Sequence, residues 1–277
     1  MKAEQWSTIE SGEHDVRLVV CDMDGTLLDD DGAVPETFWP LVDTMNERGI
    51  VFAPASGRQY ATLAQMFEDH DSVRTFIADN GTRVVQDEEV VSLTPLDRDS
   101  AVRVIDGVRA ATHRDLGLVA GGAKRAYVER QDDRFVEQAS RYNIDLEIVD
   151  DLKSVDDHFI KMATFDFRGV DDIVDDVFPG DWDGNQVVIS ATHWIDIMSD
   201  RANKGTAVVD LQKHLGVTRT QTVVFGDFLN DLEMIREAEL SFAMENAHEG
   251  IIDAAHYLAP SNNDDGVVTV LKHMLNL

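Results

Sequence analysis

Two carboxylates two residues apart, Asp22 and Asp24, follow directly on the apolar run Leu18-Val19-Val20-Cys21 and are closed off by Gly25. Such a run reads as a strand buried on both faces. Aspartate is a poor strand residue, and a carboxylate ending a buried strand is costly unless a cation or hydrogen-bond donors compensate it. The carboxyl ends of strands are also where open α/β sheets bind their ligands. An Asp-rich turn is the plain alternative, because Asp and Gly both favour turns. Three further groups weigh against it: Ser56-Gly57-Arg58, Lys204, and Gly226-Asp227-Phe228-Leu229-Asn230-Asp231. Each falls at the end of an expected core strand or at the start of a helix. Hard carboxylate oxygens suit Mg²⁺. A Ser-Gly turn opening a helix offers free amide groups and a favourable dipole to a phosphate. A lysine adds a compact positive charge.

The elements that must position these groups alternate from Arg17 onward. The patterning predicts strands at Leu18–Cys21, Ile50–Ala53 and Thr75–Ala78, with helices over Pro35–Arg48 and Gln59–Asp69 between them. The same rhythm returns after Ala202. There a helix at Lys204–Leu215 is stopped by Gly216, and strands at Thr222–Phe225 and Leu240–Ala243 alternate with helices at Asp231–Ala238, Glu249–Ala255 and Val267–Leu275. Repeated β-α-β units imply a parallel sheet covered by helices. The middle has another texture. Val84–Val85 with Val90–Leu93, and Gly117–Glu129 around Gly121-Gly122, read as hairpins. Helices at Asp97–Asp115, Arg134–Tyr142 and Asp171–Val177 are interleaved with strands at Ile144–Val149 and Phe159–Phe167 and with a pair of strands, or one long one, over Gln186–Ile197. The expected fold class is therefore α/β: a doubly wound, mostly parallel core over 1–84 and 198–277, interrupted by an inserted α+β domain at 85–197.

Composition narrows the function. The 277 residues suffice for one large or two modest domains, and 53 acidic against 24 basic residues give a formal charge of −29. That balance argues against a nucleic-acid partner held by a basic surface. An acidic protein that handles an anion must overcome its own field locally, which points to a divalent cation and a few well-placed basic groups. No apolar run approaches the roughly 18 residues of a membrane span, and the polar start Met1 to Asp15 lacks the pattern of a secretion signal. One cysteine, Cys21, excludes an internal disulfide and a multi-cysteine metal site; it alternates away from Asp22 and is expected beneath the sheet. A cytoplasmic protein with no membrane partner, a monomer or small homo-oligomer, is expected.

The four groups resemble the four motifs of the haloacid dehalogenase superfamily, in that family's order. They are Asp22-x-Asp24-Gly25-Thr26-Leu27-Leu28, Ala55-Ser56-Gly57-Arg58, Asn203-Lys204-Gly205 and Gly226-Asp227-x-x-Asn230-Asp231. The insert between the second and third motifs, together with Asn80-Gly81, Asn246-Ala247 and Asp264-Asp265-Gly266-Val267, is similar to the Cof-type phosphatase branch with a C2B cap. The resemblance implies an Mg²⁺-dependent phosphomonoester hydrolase acting on a small phosphorylated metabolite, either a sugar phosphate or a phosphorylated cofactor. It makes Asp22 the nucleophile that forms an aspartyl-phosphate, and Asp24 the general acid and then base, a role that needs a proton part of the time. It assigns Mg²⁺ to Asp22, the Asp24 backbone carbonyl and Asp227, with Asp231 a further ligand or a group behind them. It gives the phosphoryl oxygens to Ser56, the Gly57 amide, Lys204 and Asn230. Phe228 departs from the family, standing where many relatives carry Asn or another small polar residue. A sugar phosphomutase and a receiver-type phospho-acceptor module remain as alternatives. Arg58 has the alternative of pairing with the insert or with a core acid and never touching substrate, and Thr26 that of only bracing its turn.

Overall fold

A computed structural model of the chain describes residues 3–170 and 172–277. It divides into two units, Met1–Ser92 with Asn203–Leu277, and Leu93–Ala202. In chain order the elements begin with β1 (Glu4–Gln5), β2 (Leu18–Asp22), α1 (Phe38–Glu47), β3 (Val51–Ala55), α2 (Tyr60–Gln65), β4 (Thr75–Ala78), β5 (Arg83–Gln86) and β6 (Glu89–Leu93). The smaller unit follows with α3 (Arg98–Ala110), β7 (Leu116–Gly122), β8 (Ala126–Val128), α4 (Asp133–Ser140), β9 (Leu146–Ile148), β10 (Phe159–Asp166), α5 (Ile173–Val177), β11 (Asn185–Ala191) and β12 (Trp194–Ser199). The larger unit resumes with α6 (Lys204–Leu215), β13 (Thr222–Gly226), α7 (Leu232–Arg236), β14 (Leu240–Met244), α8 (Glu249–Ile252), β15 (Tyr257–Ala259) and α9 (Gly266–Met274).

The larger unit's sheet runs β1-β15-β14-β13-β2-β3-β4-β5-β6 and is parallel from β1 to β4. Strict alternation along β2 divides its side chains between two cores. Val19 and Cys21 join Phe38, Leu41 and Met45 of α1 and Val270 and Leu271 of α9. Leu18 and Val20 join Ala207, Val208 and Leu211 of α6 and Met234 and Ile235 of α7. Asp22 shares the parity of Leu18 and Val20, so it falls on the face that α6 covers. Because β2, β3, β4 and β13 are parallel neighbours, their carboxyl ends lie along one edge. Cys21 is wholly buried on the opposite face, and burial pushes its thiol pKa well above the usual value.

The smaller unit has a six-stranded sheet, β11-β12-β10-β7-β8-β9, antiparallel except for β8 with β9. Phe159 and Met162 of β10 pack with α3 and α5, and Ala163 and Phe165 pack with Phe135 and Ala139 of α4. The strand is therefore buried on both faces. Arg114, with 8% of its side chain exposed, ties fully buried Asp166 (2.7 Å) to Asp172 and Asp176. Among the described residues no helix is long and apolar enough to cross a membrane.

Several details differ from the pattern-based expectation. The hairpin β5–β6, assigned by its texture to the insert at 85–197, extends the larger sheet, because β5 pairs antiparallel with β4 (Phe76 opposite Val85). The units accordingly divide after Ser92 and Ala202. β3 does not break at Pro54 but continues through it to Ala55. Its pairing with β4 is confined to Ala55–Ile77, so the N–H that proline lacks is not needed there. Gly121-Gly122 ends β7 rather than forming the turn; the turn is Ala123–Arg125, where Asp157 accepts from the Lys124 amide at 2.9 Å. α1 starts at Phe38, after a turn in which the Phe38 amide bonds the Pro35 carbonyl. The expected helix at 171–177 is found from Ile173, and Asp171 itself lies outside the described residues.

Candidate active site

Four loops meet on the carboxyl edge of the larger sheet. Asp22 is the last residue of β2 and is 6% exposed. Ser56 follows β3, whose Ala55 lies opposite Asp22. Asp227 follows β13, the neighbour of β2 on its other side. Lys204 is the first residue of α6, a helix capped by Asn203, whose Oδ1 accepts from the Thr206 amide at 2.8 Å. The side chain of Lys204 is wholly buried, and its Nζ donates to Asp22 Oδ1 and, at 2.7 Å, to Asp231 Oδ1.

The loop after β2 is wound tightly enough to turn its side chains apart. The Met23 carbonyl accepts from the amides of Thr26, Leu27 and Leu28, and Gly25 has φ of +77°. A Cβ on Gly25 would lie 2.5 Å from Asp227 Oδ2, so only glycine fits both the conformation and the space. Asn246 donates to the Gly25 carbonyl at 2.7 Å and Asn262 to the Leu28 carbonyl at 3.0 Å, fixing the loop from the far end of the chain. Buried Thr26 donates to Asp227 Oδ1 at 3.1 Å, so it braces a carboxylate as well as the turn.

Ligand atoms of Asp22, Asp227 and Asp231 all lie within 4.8 Å of one another. Mg²⁺ holds oxygens at about 2.1 Å in octahedral geometry, which places them about 3–4.2 Å apart. The hard oxygen donors suit such an ion, and their spacing is close to what it needs. The electrostatics agree. Three acids face one lysine, and burial raises the pKa of Asp22 to about 8 against the pull of Lys204, with the Asp231 and Asp227 charges adding to the rise. Burial and then Asp231 also raise the pKa of Asp227. Burial works against the Lys204 ammonium, but Asp22 and Asp231 outweigh it and its pKa rises. With all three acids ionised the cluster would carry more negative charge than its one lysine neutralises, and a cation would complete it.

Other residues singled out in the sequence have different neighbours. Asp24 turns its carboxylate to Arg58, which donates to Oδ1 at 2.8 Å and also to Oδ2. With 67% of its side chain exposed, Asp24 is outside the trio of carboxylates close enough to share one ion. Arg58 thus has a core acid as its partner, and its Nη1 also lies 3.4 Å from Ser56 Oγ. Asp231 is fully buried with both oxygens engaged: Oδ1 takes Lys204, and Oδ2 accepts from the amides of Asp227 (3.0 Å) and Phe228 (3.2 Å). It organises the loop and the lysine. Asn230 donates to Asn80 at 3.3 Å; the sequence marked Asn80 only through the family resemblance. Phe228 is 57% exposed beside His248.

A parallel sheet whose carboxyl edge gathers three acids, a buried lysine and a Ser-Gly turn defines an α/β enzyme built for phosphoryl chemistry. The chain belongs to the haloacid dehalogenase-like hydrolase family, whose model matches residues 19–271. It is a phosphatase of that superfamily. It is 33% identical over 266 residues to the 5-amino-6-(5-phospho-D-ribitylamino)uracil phosphatase YbjI of Escherichia coli (strain K12), covering 94% of this chain and 96% of that protein. It is 24% identical over 268 residues to the phosphatase of the same name, YcsE, from Bacillus subtilis (strain 168), covering 96% and 98%. A crystal structure from Eubacterium rectale superposes with a TM-score of 0.83 at 26% identity, covering 93% of this chain and 98% of that one.

Proposed function

We propose that this phosphatase is Mg²⁺-dependent, works through an aspartyl-phosphate on Asp22, and hydrolyses a small phosphorylated metabolite. The observation that carries the reading is the buried Lys204 ammonium joining Asp22 to Asp231, with Asp227 in reach of the same point. Lys204, Ser56, the Gly57 amide and Asn230 hold the phosphoryl oxygens. Lys204 occupies Oδ1 of Asp22, which leaves Oδ2 to attack phosphorus in line. The bond from Asp22 to phosphorus forms as the bond to the leaving oxygen breaks. Asp24 gives that oxygen a proton, then takes one from the water that cleaves the acyl phosphate. Asp24 must first part from Arg58, and an anion in the Ser56-Gly57 turn competes for that guanidinium, 3.4 Å from Ser56 Oγ. Asp22, Asp227 and the Asp24 carbonyl would hold Mg²⁺, which when bound neutralises charge between the carboxylates and the phosphoryl group. The insert serves as a C2B-type cap, and the setting we infer is the cytoplasm.

The relatives' names narrow the substrate. A ribityl phosphate joined to a pyrimidine is a small phosphorylated polyol with a planar ring, and we infer a substrate of that kind. The test is hydrolysis across a panel of phosphorylated metabolites that includes 5-amino-6-(5-phospho-D-ribitylamino)uracil, with Mg²⁺ and with EDTA. Activity should require Mg²⁺ and be absent in Asp22→Asn. Undiminished hydrolysis of p-nitrophenyl phosphate by Asp22→Asn would refute the mechanism.

A further inference from the structure

We infer that Asn80 is a positioning residue that holds two phosphate-binding groups, the Ser56-Gly57 turn and Asn230, in register. The inference rests on the phosphate-binding roles proposed above for those residues. After β4 the backbone takes three successive left-handed residues, Asp79 (φ 49°), Asn80 (φ 54°) and Gly81 (φ 91°). Residues other than glycine rarely hold this conformation, Asn and Asp being the most tolerant, and it persists only where the surroundings over-determine it.

Here the surroundings are the site itself. The Asp79 amide donates to the Arg58 carbonyl and the Asn80 amide to the Ser56 carbonyl, each at 2.9 Å. A Cβ on Gly81 would lie 2.2 Å from the Asn203 carbonyl oxygen, so the turn is pressed against the start of the helix that carries Lys204. The conformation aims the Asn80 carboxamide over Gly57: a Cβ built there would meet Asn80 Nδ2 at 3.1 Å and Oδ1 at 3.2 Å. The same Oδ1 accepts from Asn230 Nδ2 at 3.3 Å. One short side chain thus lies over Gly57 and accepts from Asn230, residues of two loops that would grip the same phosphoryl group. A displacement on the ångström scale in such a group is enough to lower turnover.

Glycine takes the left-handed conformation freely, so Asn80→Gly keeps the turn and deletes only the carboxamide. The experiment compares the parent, Asn80→Gly, Asn230→Ala and the double variant. It measures the Kd of inorganic phosphate in the presence of Mg²⁺, kcat/KM on p-nitrophenyl phosphate, and thermal melting. Asn80→Gly should melt close to the parent, lose about 10- to 100-fold in kcat/KM, and bind phosphate more weakly. The double variant should be little worse than either single one, because the two residues act as a unit. Parent-like phosphate affinity and kcat/KM in Asn80→Gly would overturn the inference by reducing Asn80 to a turn residue, as would fully additive losses in the double variant. Asn230 lies outside the strained turn, so Asn230→Ala decides the matter if Asn80→Gly does not fold: unchanged phosphate affinity in it also overturns the inference. A parent that turns over no phosphomonoester would strike the mechanism proposed above, while the phosphate affinities would still decide the role of Asn80.

Discussion

Replacing Asp22 by asparagine should abolish catalysis and, without metal, remove a pH-dependent weakness from the fold. In the metal-free folded chain burial raises the pKa of Asp22 to about 8, from 3.8 for an ordinary aspartate. Between those values the unfolded state binds fewer protons than the folded one, so stability falls as pH rises. For one proton the slope is at most about 1.4 kcal/mol per pH unit. Asparagine never ionises, so Asp22→Asn lacks this decline; losing a partner for Lys204 adds an offset that does not change over this range. Urea melts of both proteins in EDTA at pH 5, 6, 7 and 8 should show the difference shifting steadily in the variant's favour. Mg²⁺ added at pH 8 should restore the parent, by about 2.7 kcal/mol at a hundred times its Kd, and leave the variant nearly unmoved. Parallel stability profiles from pH 5 to 8, or equal stabilisation of both proteins by Mg²⁺, would refute the view that Asp22 is a buried, under-compensated metal carboxylate.

Three further outcomes follow from the geometry. Gly25→Ala should weaken Mg²⁺ binding at least tenfold by titration calorimetry, since its Cβ would press on Asp227 Oδ2 from 2.5 Å; an unchanged Kd would show that the loop gives way. Asp24→Asn should form phospho-enzyme but break it down about 10²- to 10⁴-fold more slowly in rapid-quench experiments, and a normal breakdown rate would exclude Asp24 as the base. Arg114→Met strands the fully buried Asp166 without its guanidinium and should cost about 3 kcal/mol in the insert, read as a lowered melting transition; an unchanged transition would show that Asp166 is compensated by other groups.

By itself the sequence determined the family and the larger part of the fold. The apolar run at Leu18–Cys21 ending in Asp22, the Ser-Gly turn, the helix-starting lysine and the acidic loop after Thr222–Phe225 are local patterns. Local patterns are what hydrophobic periodicity and turn chemistry encode. Even the side of the sheet that Asp22 faces is implied by alternation along β2, once a helix is known to cover it. The remainder was decided by contacts between residues remote in the chain. Lys204 meets Asp22 across 182 positions and Thr26 meets Asp227 across 201. The two-residue strand β1 is a strand only through its pairing with β15, which itself pairs with β14. Motif order could not say that Arg58 takes Asp24 as its partner, that both oxygens of Asp231 are already engaged, or that Asn80 lies between Gly57 and Asn230. Those facts depend on how four loops converge on one sheet edge, and a hydrogen bond between loops leaves no periodic trace in either of the segments it joins.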